Sequence, residues 1–198
     1  MARPQASDYD QRQKTILDHA ASLFAKKGFK GTSVADLAAA CKTSKSLIYH
    51  YFPSKEDILY EVMVAHLAQL AEAAAGAMSF GEQSPRGRLY ALTLAFMRLY
   101  GGAADRHKVL LNELDNLPAE RRTEVVLRQR GIIELVQNQI EKARPELRGD
   151  ARPLTMLFFG MINWTHTWFN PKGKVSPERL ADLAAGIMFD GLESMKKL

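Results

Sequence analysis

The chain has 198 residues, a formal net charge of +5, 46% hydrophobic residues and a single cysteine. That length holds one large domain or two small ones, and the apolar fraction is ample for a core. One cysteine, Cys41, excludes an intrachain disulfide. With no signal-like N-terminus and no apolar run near the roughly 20 residues a membrane span needs, the expectation is a cytoplasmic protein that neither crosses nor binds a membrane.

Residues 1 to 8 carry Arg3, Pro4, Gln5 and Ser7 without periodicity and read as a flexible arm. From about Asp8 to Lys27 the apolar residues Ile16, Leu17, Ala20, Leu23 and Phe24 recur at helical spacing, and Gly28 ends the helix. Its Arg12 and Lys14 could touch phosphate or be ordinary surface cations. Ser33 can cap a short second helix with Val34, Leu37 and Ala38 on its apolar face. After Ala40 the run Cys-Lys-Thr-Ser breaks the pattern, and Thr43 or Ser44 can start a third helix in which Leu47, Ile48 and Tyr51 alternate between core and surface. Pro53 stops it, because proline has no N–H to donate and pushes the residue before it out of the helical region. Two helices of about two turns joined by a few residues make a helix-turn-helix unit. Cys41 reads as a small packing residue.

Ser54 with Asp57 approximates a capping box for a fourth helix, and Lys55 lies in its first turn. Apolar positions then recur from Ile58 to Met78. A break at residues 79–87 precedes a helix from Pro85 to about Gly101 with Leu89, Leu92, Phe96, Leu99 and Tyr100. A shorter helix, Asp105 to Asn116, carries Val109, Leu110 and Leu114. A long one runs from the Leu117-Pro118 turn to about Arg144, where Pro145 and Gly149 end it. Two more, about Arg152 to Phe169 and Ser176 to Lys196, flank a loop rich in proline and glycine. The fold class is all-α with about nine helices and no convincing strand.

The third helix has a surface suited to a polyanion. Thr43, Lys45, Ser46, Tyr49 and His50 offer hydroxyls, an ammonium and an imidazole, and no carboxylate occurs from Leu37 to Lys55. A solvated helix face would explain isolated polar residues, but not the rings of Tyr49, His50, Tyr51 and Phe52 in succession. Charge location agrees: the first 55 residues hold nine lysines and arginines against four acids, and the remainder holds 18 of each sign. Extending the cut to Glu56 and Asp57 lowers the excess to +3. A basic segment on a neutral body is the footprint of a nucleic-acid binder.

The run from Thr15 to Leu59 resembles the N-terminal domain of TetR-family transcriptional regulators. The resemblance rests on the helix with Ile16, Leu17, Ala20, Leu23, Phe24, Gly28 and Phe29, on Thr32-Ser33-Val34 with Asp36-Leu37-Ala38, on Ser44-Lys45 with Tyr49, Tyr51 and Phe52, and on Ser54-Lys55-Glu56. Lys42 departs from the family, standing where many members have glycine in the turn. It implies either an extra cation near DNA or a different turn conformation. The resemblance implies a helix-turn-helix DNA-binding domain of three helices over 1–55 and a helical effector-binding and dimerisation domain over 56–198. It places Ser33, Thr43, Ser44, Lys45, Ser46, Tyr49, His50, Tyr51 and Lys55 at double-stranded operator DNA. Its bodies usually hold an apolar cavity, here with Met63, His66, Phe96, Tyr100, Phe158, Met161, Trp164 and Trp168 as the candidate lining. By periodicity alone these aromatic stripes fit a filled core better than a pocket. The stretch from Phe158 to Leu192 also resembles members that sense acyl-coenzyme A thioesters, which implies an acyl-CoA or its acid as effector, with a drug-like hydrophobe as the alternative.

An acyl-CoA also needs cations for its phosphates; Arg98, Arg106, Lys108, Arg121, Arg122, Arg128 and Arg130 are candidates, interspersed with acids that could pair with them. The last helix presents Leu180, Leu183, Ala184, Ile187, Met188 and Gly191 as a face rich in small residues, expected to build a homodimer. Trp164 and Trp168 could serve that seam instead of the cavity. A repressor is expected, with no cofactor, no metal and no catalytic residue. The competing class, an enzyme acting on the same thioesters, lacks a nucleophile motif, a phosphate-binding glycine loop and metal-spaced Cys/His residues. A helical adaptor that binds protein is the remaining alternative.

Overall fold

The computed structural model describes residues 4–79, 84–170 and 172–194. Arg3 of the arm, residues 80–83 of the break, Pro171 of the later loop and the last helix beyond Ser194 lie outside them, as do the side chains of residues 4–7 and 192–194. Among the described residues there is no strand. Nine α-helices follow in order: α1 Pro4–Lys27, α2 Val34–Ala40, α3 Lys45–Tyr51, α4 Lys55–Ser79, α5 Pro85–Gly102, α6 Ala104–Asn112, α7 Ala119–Ala143, α8 Ala151–Asn163 and α9 Pro177–Ser194. Three short 3-10 turns occupy Leu114–Asn116, Pro145–Asp150 and Trp164–Thr167.

Three boundaries differ from the sequence reading. The first helix begins at Pro4, where proline suits a first turn, so the expected arm is largely helical. The sixth ends at Asn112 and gives way to the first 3-10 turn. The eighth stops at Asn163: the hydroxyls of Thr165 and Thr167 donate back to the carbonyls of Ile162 (2.6 Å) and Trp164 (2.8 Å), and the chain tightens into the 3-10 turn.

The chain forms two compact units, one of Met1–His66 and Asp105–Val126, the other of Leu67–Ala104 and Leu127–Leu198. In the first unit, Ile16, Leu17, Ala20 and Phe24 of α1, Leu37 and Ala38 of α2, and Ile58, Leu59, Val62 and Met63 of α4 are buried together with Val109 and Leu110 of α6. A fully buried side chain of this size stabilises by about 1.5–3 kcal/mol. The seven-residue α3 buries only Ile48, so its placement depends on its caps and neighbours. Ser44 caps it, accepting from Leu47 N–H at 3.1 Å. Gly28 terminates α1 at φ +76, a conformation that glycine adopts without strain.

The turn between α2 and α3 is a Schellman motif. Thr43 N–H reaches the Ala38 carbonyl at 2.9 Å, and Lys42 N–H reaches that of Ala39 at 3.1 Å. The geometry puts Lys42 at φ +52. The glycine-type turn is therefore kept, with lysine accepting the left-handed conformation at about 1–2 kcal/mol.

In the second unit α5 and α9 pack along one another, and the small residues Ala181, Ala184 and Ala185 of α9 are buried there with Leu89, Leu92 and Phe96 of α5. Ion pairs Arg98–Glu178 (2.8 Å) and Arg86–Asp190 (3.3 Å) link the same two helices. Phe158, Phe159 and Ile162 of α8, and Ile132, Val136 and Ile140 of α7, are buried within the unit. Helix α4 is long and apolar enough by composition to cross a membrane, but half of that stretch is buried inside the protein, as in a core helix.

Replacing Lys42 with glycine should stabilise the protein by about 0.5–1 kcal/mol, the relieved backbone strain being partly offset by the greater entropy of the unfolded glycine chain. Urea denaturation of parent and K42G proteins measures the difference.

Candidate nucleic-acid interface and effector residues

Lys45 and Tyr49, and Ser46 and His50, are spaced four residues apart on α3, so the four side chains share one face. All four are exposed, Tyr49 at 51%. Lys42 is exposed at the preceding turn, and Thr43 is half-buried in a shallow depression with Arg12, Thr15, Ile16, Cys41, Leu47 and Tyr51. The exposed face thus offers two ammonium groups, two hydroxyls and an imidazole. It can donate to phosphate oxygens and exchange hydrogen bonds with base edges.

Five residues expected at DNA make contacts within the unit: Ser44 through its cap, His50 through its ring contacts, and Lys55, Ser33 and Tyr51. Lys55 donates to the carbonyls of Phe29 (2.9 Å) and Thr32 (2.8 Å) and lies 4.1 Å from the centre of the Phe29 ring. It clamps α4 to the connection before α2. Ser33 forms a complete capping box: its Oγ accepts from Asp36 N–H at 3.1 Å and donates to Asp36 Oδ2 at 2.5 Å, while its own N–H donates to the same oxygen at 2.8 Å. Those bonds, side-chain first and backbone second, hold the Asp36 carboxyl at about 2. Tyr51 turns toward α1, its ring 4.5 Å from that of Tyr9. Tyr9 was not singled out from the sequence, since it lies off the apolar stripe of α1.

The candidate effector residues divide between the units. Met63 and His66 are buried in the first. His66 Nε2 lies 3.2 Å from Nδ1 of His107 on α6, a partner the sequence reading did not supply because 41 residues separate them. His66 Nδ1 meets no hydrogen-bond partner among the described residues. Beside this pair Arg106 joins Asp18 of α1 at 2.6 Å.

In the second unit Phe96, Tyr100 and Phe158 are buried and Met161 is half-buried. Phe96 stacks near Tyr100 at 6.3 Å and meets Phe159 at 6.1 Å, while Tyr100 donates its hydroxyl to Asn163 Oδ1 at 2.9 Å. Burial pushes the Tyr100 phenol up, so it stays a neutral donor. Gln139 of α7 is buried among these residues' unit, and its Oε1 meets no donor among the described residues. The tryptophans are elsewhere: Trp164 is 65% and Trp168 56% exposed, so neither lines the interior. Of the candidate cations for a CoA phosphate, Arg98, Arg106, Arg121 and Arg122 are in ion pairs; Lys108, Arg128 and Arg130 are exposed, as are Arg98 and Arg122.

The expected dimer face splits by helical phase. Leu180, Ala184 and Met188 are buried within the unit, while Leu183, Ile187 and Gly191 face outward. Helix α8 likewise exposes Met156, Leu157 and Gly160, continued by Trp164.

Residues 16–62 match the family described as bacterial regulatory proteins, tetR family, and residues 82–192 match the tetracyclin repressor-like C-terminal domain. The chain belongs to the TetR family of transcriptional regulators. A solved TetR-family regulator from Bordetella parapertussis 12822 is 38% identical, with a TM-score of 0.86 over 94% of this chain and 98% of that one. AibR, solved in complex with isovaleryl coenzyme A and operator DNA, is 27% identical, with a TM-score of 0.80 over 90% of this chain and 98% of its own. The transcriptional repressor KstR2 of Rhodococcus jostii (strain RHA1) is 28% identical over 188 residues, 92% of each chain.

Burial first, and then the Arg106 guanidinium, hold His66 down at about 4 from the ordinary 6.5. Between those values the unfolded chain binds the extra proton, so stability falls as pH drops from about 6.5 toward 4, by at most about 1.4 kcal/mol per pH unit. His66→Gln keeps a hydrogen-bonding side chain that does not titrate. Its urea midpoints at pH 7, 6 and 5 should show a flatter slope than the parent's.

Proposed function

We propose that the protein is a dimeric, ligand-responsive repressor that reads a near-palindromic operator through α3 and is released by a small hydrophobic effector. The observation that carries the reading is the exposed, acid-free face of α3, with Lys45, Ser46, Tyr49 and His50 on it and Lys42 and Ser44 beside it. A double-stranded operator in solution is met by a cytoplasmic protein, with residues 1–55 as the DNA-binding domain and 56–198 as the effector and dimerisation domain. Apolar surface left open on two helices of one unit suits a partner: Leu157 of α8 and Ile187 of α9 are 69% and 63% exposed. Pairing these helices with their copies makes a four-helix seam. A two-fold dimer then addresses half-sites about one helical turn of DNA apart.

For the effector, an acyl-CoA is the first reading, supported by AibR's complex with isovaleryl coenzyme A. The acyl group would meet Phe96, Tyr100 and Phe158, with the Gln139 amide oxygen as a polar contact. The ion pairing of Arg98, Arg106, Arg121 and Arg122 favours a second reading, a hydrophobe without phosphates. Weakening operator binding a hundredfold requires about 2.7 kcal/mol of differential affinity between two protein states, within reach of either ligand.

One set of titrations tests the reading. A duplex selected by the parent from a random library should bind Lys45→Ala and Tyr49→Ala proteins at least tenfold more weakly, and the K45A salt slope should fall by about one. Leu157→Glu/Ile187→Glu should sediment as a monomer and lose the selected duplex. Isovaleryl-CoA, its free acid and neutral hydrophobes added to the complex distinguish the effector classes by which one releases DNA. Parent-like binding by both α3 variants would remove the proposed interface.

A further inference from the structure

The exposed helix α3 has one buried anchor, Ile48, near its middle. Its N-terminal end is fixed by the Ser44 cap. Its C-terminal end carries His50 and Tyr51, and there the structure supplies a contact from outside the helix-turn-helix. Tyr9 of α1 lies with its ring 4.5 Å from Tyr51 at 32° and 6.5 Å from His50 nearly edge-on, while His50 and Tyr51 meet at 5.5 Å and 87°. All three separations and tilts fall in the range where aromatic pairs attract beyond simple burial. Helix α1 begins at Pro4, more than a turn before Tyr9. A helix starting at Asp8 would leave Tyr9 in a fraying first turn, whereas the extra turn seats it inside regular helix.

Tyr9 is itself 41% exposed, so a filled core does not account for it. Covering one side of Tyr51 and one edge of His50 leaves each ring fewer rotamers. In a two-turn helix, that also resists rotation about the Ile48 pivot. We infer that Tyr9 is a positioning residue for operator recognition: it holds the His50 end of α3 in the orientation that reads base edges, without itself supplying charge to the backbone of DNA. The inference rests on α3 being the DNA-reading helix.

Its signature is loss of discrimination with no loss of electrostatics. Phosphate contacts set non-specific affinity and salt slope, whereas orientation of the reading face sets the ratio of specific to non-specific binding. Tyr9→Ala should bind the library-selected duplex about five- to tenfold more weakly, the range expected for removal of one or two aromatic contacts. Its affinity for random-sequence duplex and its salt slope should match the parent's. Tyr9→Phe, which keeps the ring and drops the hydroxyl, should restore the parent's affinity. Thermal melts of both variants confirm folding, and K45A and Y49A run beside them.

The inference is overturned if folded Y9A binds the selected duplex as tightly as the parent, if it loses selected and random duplex in equal proportion, or if Y9F falls with Y9A. In each of those cases weakened K45A and Y49A would leave α3 standing as the interface. Parent-like K45A and Y49A would instead remove the interface and the positioning role with it.

Discussion

The ammonium of Lys55 holds the first unit in register. It donates to two carbonyls that belong to the chain between α1 and α2, at Phe29 and Thr32, and sits over the Phe29 ring. Bonds from a charged donor contribute more than neutral ones, and a carbonyl left without its donor here would carry a desolvation cost. The first turn of α4 is thereby tied to the segment that leads into the helix-turn-helix. Arg121 adds a second tie within the same unit, pairing with Asp57 at 3.1 Å and lying 4.1 Å over the Tyr60 ring. The start of α4 is thus tied to the segment before α2 by polar, directional bonds and not by apolar packing alone.

What the sequence made legible was local. Ser33 and Ser44 as caps, Gly28 as a stop and Pro53 as a breaker act within a few residues of where they stand, and each is found at its expected boundary. The buried stripes of α1 and α4 follow from helical periodicity. The polar face of α3 was readable for the same reason, since a missing carboxylate is a property of the string itself.

The rest depended on residues distant in sequence. Nothing near Lys55 announces that carbonyls 23 and 26 residues earlier will capture it. The His66–His107 contact spans 41 residues. Periodicity shows that α8 and α9 are apolar on more than one face, but not which face the unit covers. On α9 the stripe of Leu180, Ala184 and Met188 is inside, and the stripe of Leu183, Ile187 and Gly191, one residue of helical phase away, is outside. Bulk did not decide the matter either: the two tryptophans remain exposed, while alanines occupy the interior where α9 lies against α5.

The buried polar pair in the first unit bears on how that unit moves. Two apolar side chains at positions 66 and 107 would fill the same space and tolerate small sliding between α4 and α6. Two imidazoles 3.2 Å apart do not, because a hydrogen bond weakens steeply with distance and angle, and its loss would leave ring nitrogens buried in apolar surroundings. Arg106, one residue before His107, fixes the same helix to α1 through Asp18. Helix α6 is thus held at two adjacent residues to two different helices, and with the Lys55 clamp, α1, α4 and α6 are mutually constrained. These contacts tie α6 to α4 through His66 and to α1 through Asp18, the helix that also carries Tyr9.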